Sequence, residues 1–364
     1  MGSLLDLLVE PELRAVAEFR FEQNAVSIGV NGETKYLDFS LPYADEDLEL
    51  FHVWCVKPPT SAESSGREVR DRGRALGHIF PITSFNTDSE FSADNLPNRF
   101  QQIFASVAAK AIVVLGVANI VLSRKFFELG ERAPLSDIFD SDAAIVVVGK
   151  ENLRAANVDL STVQLMLQEQ GYFLAELPVE FGHTRVRPES EGNCHIGRIS
   201  GDLLDFAEAF TQMTCLASQQ SSAVASVLIY YQILEVVSEK LLSTRLSRLA
   251  AAPPPDSWGF KEALRDAVSE KSRIISLCIQ AAVLTDAPIF LELRDDGIRL
   301  LQECGQNFDE NDSPGAVLYK VRNIVVHNQG ALNVAAHGIL NAFADDLHRI
   351  VFAIVRRFNL MEAR

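Results

Sequence analysis

Positive charge is what this chain lacks most. Its 364 residues carry 33 Lys and Arg against 49 Asp and Glu, a formal net charge of −16. Such an excess opposes broad attraction to nucleic acid or anionic membrane, so any nucleic-acid contact must come from a local cluster of cations. Cysteine is scarce as well. Cys55, Cys194, Cys215, Cys278 and Cys304 are scattered, odd in number and without a CxxC pair. That excludes a recognisable zinc ribbon, argues against a disulfide framework and points to a reducing, cytoplasmic setting. Cys194-His195 stands alone, short of the ligands a zinc site needs. No glycine-rich phosphate loop is legible, since Gly149-Lys150 lacks the preceding glycine spacing. The opening MGSLLDLLVEPE has no basic n-region and meets Glu10 too early for a secretory signal, and Asp6 breaks the myristoylation pattern.

Long apolar runs are nearly absent too. Residues 103–122 are apolar enough to test as a membrane span, but Lys110 and Asn119 interrupt them. A buried strand or core helix accounts for the run equally well, and the expectation is a soluble protein with no membrane partner.

What is present is a globular balance of 48% hydrophobic and 23% charged residues. The overall expectation is α+β: a mixed α/β domain over 1–199, then an all-α helical bundle over 200–364. The first part reads as strands at Val16–Phe21, Ala25–Val30, Tyr36–Leu41 and Leu48–Val56, with Asn31-Gly32 as a hairpin turn. Residues 57–77, rich in Ser, Gly, Pro and charge, read as a loop. The basic cluster inside it, Arg67, Arg70, Arg72 and Arg74, is broken by Glu68 and Asp71 and reads as solvated. A helix is expected over Arg99–Lys110, a buried strand over Ala143–Val148, a helix over Asp159–Glu169 and extended chain over Tyr172–Val186. Asp140-Ser-Asp142 has the spacing of a carboxylate pair for magnesium, but the Gly-Ser helix start that nucleotidyltransferases place before it is missing. It reads as a loop entering a strand.

After Pro188-Glu-Ser-Glu-Gly192 the apolar period becomes helical. Helices are predicted over Asp202–Ala217, Ser222–Leu249, Gly259–Leu284, Ile289–Cys304, Pro314–Asn328 and Asn333–Asn359. The chemistry-bearing stretch lies on the fifth, Leu318-Tyr-Lys-Val-Arg-Asn-Ile-Val-Val-His. It holds Arg322 and His327 at an Arg-x4-His spacing, with Asn323 directly after the arginine. Arg72 and His78 are a decoy one residue longer, without the Asn. At about 100° per residue, Val317, Leu318, Val321, Ile324 and Val325 fall on one face. Lys320, Asn323 and His327 share the other, with Arg322 at its edge. Ser313 and Pro314 suit the helix start, Gly330 its end, and the last turn favours a protonated His327. The default for such residues is a solvent-facing polar surface.

Together with Leu228-Ile-Tyr-Tyr-Gln-Ile-Leu-Glu235 on an earlier helix, the motif resembles the HEPN superfamily, of the type fused behind varied N-terminal domains in bacterial defence proteins. The resemblance covers residues 200–364. It implies a homodimer through the helical domain, RNA as substrate, no cofactor, and metal-independent cleavage that leaves a 2′,3′-cyclic phosphate. His327 would be the acid–base group, Arg322 would stabilise charge on the phosphorane, and Asn323 would orient the histidine or the phosphate. Gln329 stands where the toxin-type version has Tyr. From the residues themselves, Lys320 and Tyr319 are added as weak substrate-binding candidates, and Glu235 as a neighbour for Arg322, because a buried carboxylate needs a partner. Tyr230 and Tyr231 read as packing. The N-terminal domain is left as a sensor or a site for an activating or inhibiting partner. Two readings stay open: a defence-type or toxin-like endoribonuclease, and a non-catalytic scaffold that dimerises or binds nucleotides or RNA. The acidity is uneven, −11 over residues 1–200 and −5 over 201–364.

Overall fold

Arg72 and Gly73 both take left-handed backbone, with φ of 47° and 83°. Two such residues in succession make the tight turn that matches strand twist, so the segment read as a loop folds as a hairpin. Strand β5 (Arg67–Asp71) pairs antiparallel with β6 (Arg74–Pro81). The arginines hid it: they occupy outward or turn positions while Val69, Leu76, Ile79 and Phe80 point into the core. Charge along one face of a half-buried strand looks like a loop when read by composition alone.

This computed structural model describes residues 18–22, 25–30, 33–38, 48–57, 66–85, 103–108, 111, 130–134, 143–174, 193–254, 256–284 and 288–358. The chain divides into two compact units, with the boundary between Ile196 and Gly197. The architecture is mixed α+β.

The first unit holds two sheets. β1 (Glu18–Glu22), β2 (Ala25–Val30) and β3 (Glu33–Asp38) form an antiparallel meander, closed by a parallel β7 (Arg132–Pro134). The larger sheet runs β10-β5-β6-β8-β4-β9, with β4 at Phe51–Lys57, β8 at Ala144–Gly149, β9 at Phe173–Leu174 and β10 at Cys194–His195. β8, AIVVVG, is buried throughout, the expected fate of a continuous β-branched run. Gly77 of β6 is pressed so closely on β8 that an added Cβ would stand 2.0 Å from the Val147 carbonyl oxygen. Helices α1 (Lys150–Ala156) and α2 (Leu160–Glu169) follow β8; α1 was not expected from the sequence. Residues 103–108 are helical and largely buried, so the apolar run begins as core. Most of its remainder, like Asp140-Ser-Asp142, lies outside the described residues. Among the described residues, no helix is long and apolar enough to cross a membrane.

The second unit is helical: α3 (Ala207–Ser218) after a 3-10 turn, α4 (Ala223–Ala251), α5 (Ser257–Val268), α6 (Glu270–Leu284), α7 (Pro288–Glu303), α8 (Pro314–His327) and α9 (Val334–Arg357). The single helix expected over Gly259–Leu284 is two, because Ser269 turns to φ −69°, ψ 114° and caps one while starting the next. α7 packs on α8 and α9, and α6 on α8, around Leu293, Leu300, Val317, Val321, Phe343 and Leu347, all fully buried.

At Gly315 two helix backbones of this bundle meet directly. A Cβ there would lie 2.6 Å from the Ile275 Cα and 3.1 Å from the Ile274 carbonyl oxygen, both backbone atoms. Gly→Ala inside a helix ordinarily stabilises by about 0.5–1 kcal/mol. Gly315→Ala should instead lose about 1–3 kcal/mol, because α6 and α8 must separate. Gly338 of α9, with nothing within 4 Å of the same position, is the internal control. The urea midpoints of the two alanine variants should move in opposite directions.

α9 also carries a strained carboxylate. Burial first, then the charges of Asp296, Glu292 and Asp345, raise the Asp346 carboxyl to about 6 despite Arg349 nearby. A carboxyl raised in the folded state stabilises below its unfolded value near 3.8, and that stability is lost as pH rises through 6. Asp346→Asn keeps the neutral form at all pH. With solvent screening, it should stabilise the protein by about 1 kcal/mol at pH 8, an advantage that disappears near pH 4, as read from denaturant curves at the two pH values.

Candidate functional site

α8 starts where its sequence says it should. Pro314 occupies the first turn, the Ser313 hydroxyl accepts the Ala316 N–H at 3.3 Å, and the helix ends at His327 with Asn328 beyond it. Val317, Leu318, Val321, Ile324 and Val325 are all buried. That orientation turns Arg322 and Asn323 along the flank of the core and leaves His327 exposed.

Arg322 is held on three sides. Its Nη2 donates to Glu235 Oε1 at 3.2 Å and its Nη1 to Asn323 Oδ1 at 3.4 Å. The guanidinium carbon stands 5.4 Å from the centroid of the Tyr231 ring, within cation–π range. Tyr231 is buried, and its hydroxyl donates to Glu270 Oε1 at 2.9 Å. Burial, and then the bond to that carboxylate, push the phenol well above its ordinary range, so it stays a neutral platform under the arginine. Glu235, singled out from sequence as a neighbour for Arg322, is that neighbour.

The supports come from one helix at a regular interval. Tyr231, Glu235 and Glu239 are four residues apart on α4, so they stack on one flank. Tyr231 reaches Glu270 of α6, Glu235 reaches Arg322 of α8, and Glu239 takes Arg273 of α6 at 3.1 Å. Tyr230 turns the other way, into the core, where its hydroxyl shares a 2.9 Å hydrogen bond with His348 Nδ1. Glu270 escaped the sequence reading because it sat in the middle of a helix taken as continuous. The four-residue spacing on α4 was the signal available.

Lys320 is also committed. Its ammonium pairs with the Asp312 carboxylate in the loop before α8. Asp312 accepts the Asp309 N–H at 3.1 Å, and its carbonyl accepts Arg294 Nε at 2.9 Å. Burial pushes the Asp312 carboxyl up, but the Lys320 bond, the Asp309 N–H and the charges of Lys320 and Lys271 outweigh it and hold the group below its ordinary value. Tyr319 is half-buried beside it. His327 ends the helix, about 7.5 Å along the axis from Arg322 and about 140° around it. Among the described residues it makes no bond to Arg322 or Asn323. The single chain thus assembles Arg322, Asn323, Glu235 and Tyr231, and leaves the imidazole to solvent.

The decoys separate cleanly. Arg72 lies in the exposed hairpin turn while His78 is buried in β6 against Phe80 and Phe104, with its imidazole lowered to about 4 by burial. Cys194-His195 is strand β10, parallel to β5. No group of three His, Cys, Asp or Glu among the described residues is placed to hold a metal ion. Compared with family models, curated proteins and solved structures, the chain matches none.

Proposed function

We propose that this chain is a metal-independent endoribonuclease of the HEPN type, acting in antiphage defence or a toxin-like stress response. The observation that carries the reading is Arg322: a guanidinium oriented by Glu235, Asn323 and the Tyr231 ring, with an exposed imidazole five residues on along the same helix. Holding a planar fork in place before substrate arrives is what charge stabilisation of a phosphorane requires, because no reorganisation is then needed during reaction. His327, free to turn at the end of α8, is suited to proton transfer.

In this scheme two protomers face one groove. One imidazole takes the proton from a ribose 2′-hydroxyl as that oxygen attacks the adjacent phosphorus. The second imidazole returns a proton to the departing 5′-oxygen. Between those events the Arg322 guanidinium stabilises the extra negative charge on the phosphorane oxygens. The products are a 2′,3′-cyclic phosphate and a 5′-hydroxyl. The first unit is assigned the sensing or restraining role.

The scaffold reading keeps one argument: within a protomer both Arg322 and Lys320 already face carboxylates. Cleavage of RNA by wild type and by His327→Ala, with analysis of the new 3′ end, separates the two. A cyclic phosphate from wild type alone supports the ribonuclease. Identical products from both proteins, in cells challenged with phage as well as in purified form, would leave the scaffold.

A further inference from the structure

If the site cleaves RNA, its own cations do little to capture it, because Arg322 and Lys320 are each neutralised in place. A chain of net charge −16 needs another source of positive field. The second unit has one. Residues 240–273 hold seven Lys and Arg against four acidic residues, whereas the rest of 201–364 holds eight against 16. This segment is the end of α4, all of α5 and the start of α6.

Resting on that ribonuclease reading, we propose that the α4–α5–α6 surface is a platform for single-stranded RNA, feeding the Arg322 site. On α5, Trp258, Lys261, Arg265 and Val268 follow one another at intervals of three and four, so they share a face. That face is the solvent side: Trp258 is 70% exposed and Val268 50%, while Ala267 on the opposite side is buried. An indole followed by cations one and two turns further along the helix matches alternating base and phosphate, the combination single-strand binders use. The acidic residues here have local duties. Asp256 caps α5 through the Gly259 N–H at 2.7 Å, Asp266 accepts the Ser272 hydroxyl at 2.8 Å, and Glu270 takes Tyr231. Glu262 lies 3.9 Å from Arg265, with both side chains largely exposed, a pairing too weak to cancel the charge.

Beside this face three guanidiniums crowd together. Arg245 donates to Ser276 Oγ at 2.7 Å; burial, with Arg273 and Arg248 close by, lowers its pKa against the opposing pull of Asp266. Arg273 is buried and already paired, its Nη2 with Glu239 at 3.1 Å and its Nη1 with the Val268 carbonyl at 2.8 Å, so it backs the surface without meeting RNA itself. The surface also runs on to the candidate site. The charge of Lys271 acts on Asp312, which holds Lys320, and the neighbouring Glu270 anchors the tyrosine under Arg322. Along α4, Glu235 and Arg248 are 13 residues apart. That is about 20 Å of helix, the length of roughly six stacked nucleotides.

The test uses the full chain carrying His327→Ala, which binds without cutting, and a fluorescein-labelled 12-nucleotide oligouridylate read by anisotropy at low and high salt. Adding Trp258→Ala should weaken binding about tenfold. Adding Lys261→Glu with Arg265→Glu should weaken it further and flatten the salt dependence by about 0.7 in log–log slope per cation removed. These side chains are exposed, and an unchanged thermal midpoint verifies folding. Unchanged affinity in both sets overturns the platform and leaves the ribonuclease reading intact. So does a result in which polyglutamate of equal length binds and the oligouridylate does not, since the partner is then an acidic protein. If the platform variants lose RNA while His327→Ala still cleaves like wild type, the platform stands and the catalytic assignment fails.

Discussion

For the proposed ribonuclease, His327→Ala should reduce RNA cleavage by about 10²–10⁴-fold, the contribution of an acid–base group. The protein should be otherwise unchanged, because the imidazole is exposed and makes no bond to Arg322 or Asn323 among the described residues. Arg322→Ala should fall as far, but by a different route. It removes the charge meant for the phosphorane and leaves Glu235 without its 3.2 Å partner. Glu235 is 39% exposed, so water replaces the guanidinium and the cost to stability stays below about 1 kcal/mol. Arg322→Lys separates charge from shape. A lysine keeps the charge but cannot span Glu235 and Asn323 together, and cleavage should recover only in part. The homodimer of the proposed scheme should persist in all three variants, as read from mass in solution. Full cleavage by Arg322→Ala would sink the assignment, whatever the dimer does.

The second large effect concerns acid. His348 of α9 is buried with its ring between Tyr230 and Phe352, and burial, then the charge of Arg349, lowers its imidazole to about 3. An imidazole depressed in the folded state contributes stability that is complete above its unfolded value near 6.5 and is lost as pH falls toward 3. Over that whole range the loss reaches about 4–5 kcal/mol. Two residues away, Asp346 works in the opposite direction between about 6 and 3.8. The wild-type profile should therefore be flatter than either group alone dictates. His348→Gln, which can still bond Tyr230, should gain stability on mild acidification, and Asp346→Asn should lose it faster than wild type. Chemical denaturation of both variants at pH 7.5 and 4.5 measures this. Parallel shifts in the two would show that neither group controls the profile.

Helix α8 was the most legible part of the chain. Its cap, first turn and buried face follow from Ser313, Pro314 and five apolar residues at three-and-four spacing. Gly330, read as its stop, instead lies in a 3-10 turn after the helix has ended at His327. The pairing of Arg322 with Glu235 was legible because a half-buried carboxylate on α4 needed a cation. Lys320 was misjudged by geometry on one helix alone. Its polar face points to solvent only until the preceding loop folds back and offers Asp312. The α5–α6 break was hidden for a similar reason: Ser269 interrupts an amphipathic pattern without a glycine or proline to mark it. The β5–β6 hairpin was missed because Arg72-Gly73 is a less familiar turn pair than Asn-Gly. In each case the missing information was a tertiary partner or a backbone angle.

The larger sheet has a consequence for the order of events during synthesis. Its β5 edge is covered by β10, a parallel strand about 125 residues later, with Cys194 beside Val69. Closing so long a loop is slow and entropically costly compared with the local contacts of a helical hairpin. The first unit therefore leaves the ribosome first yet cannot complete its sheet until the last residues before Gly197 have emerged. The helices that follow need no such wait. A chain built this way keeps a strand edge open while about 125 further residues are added, a period in which such edges pair with the wrong partner.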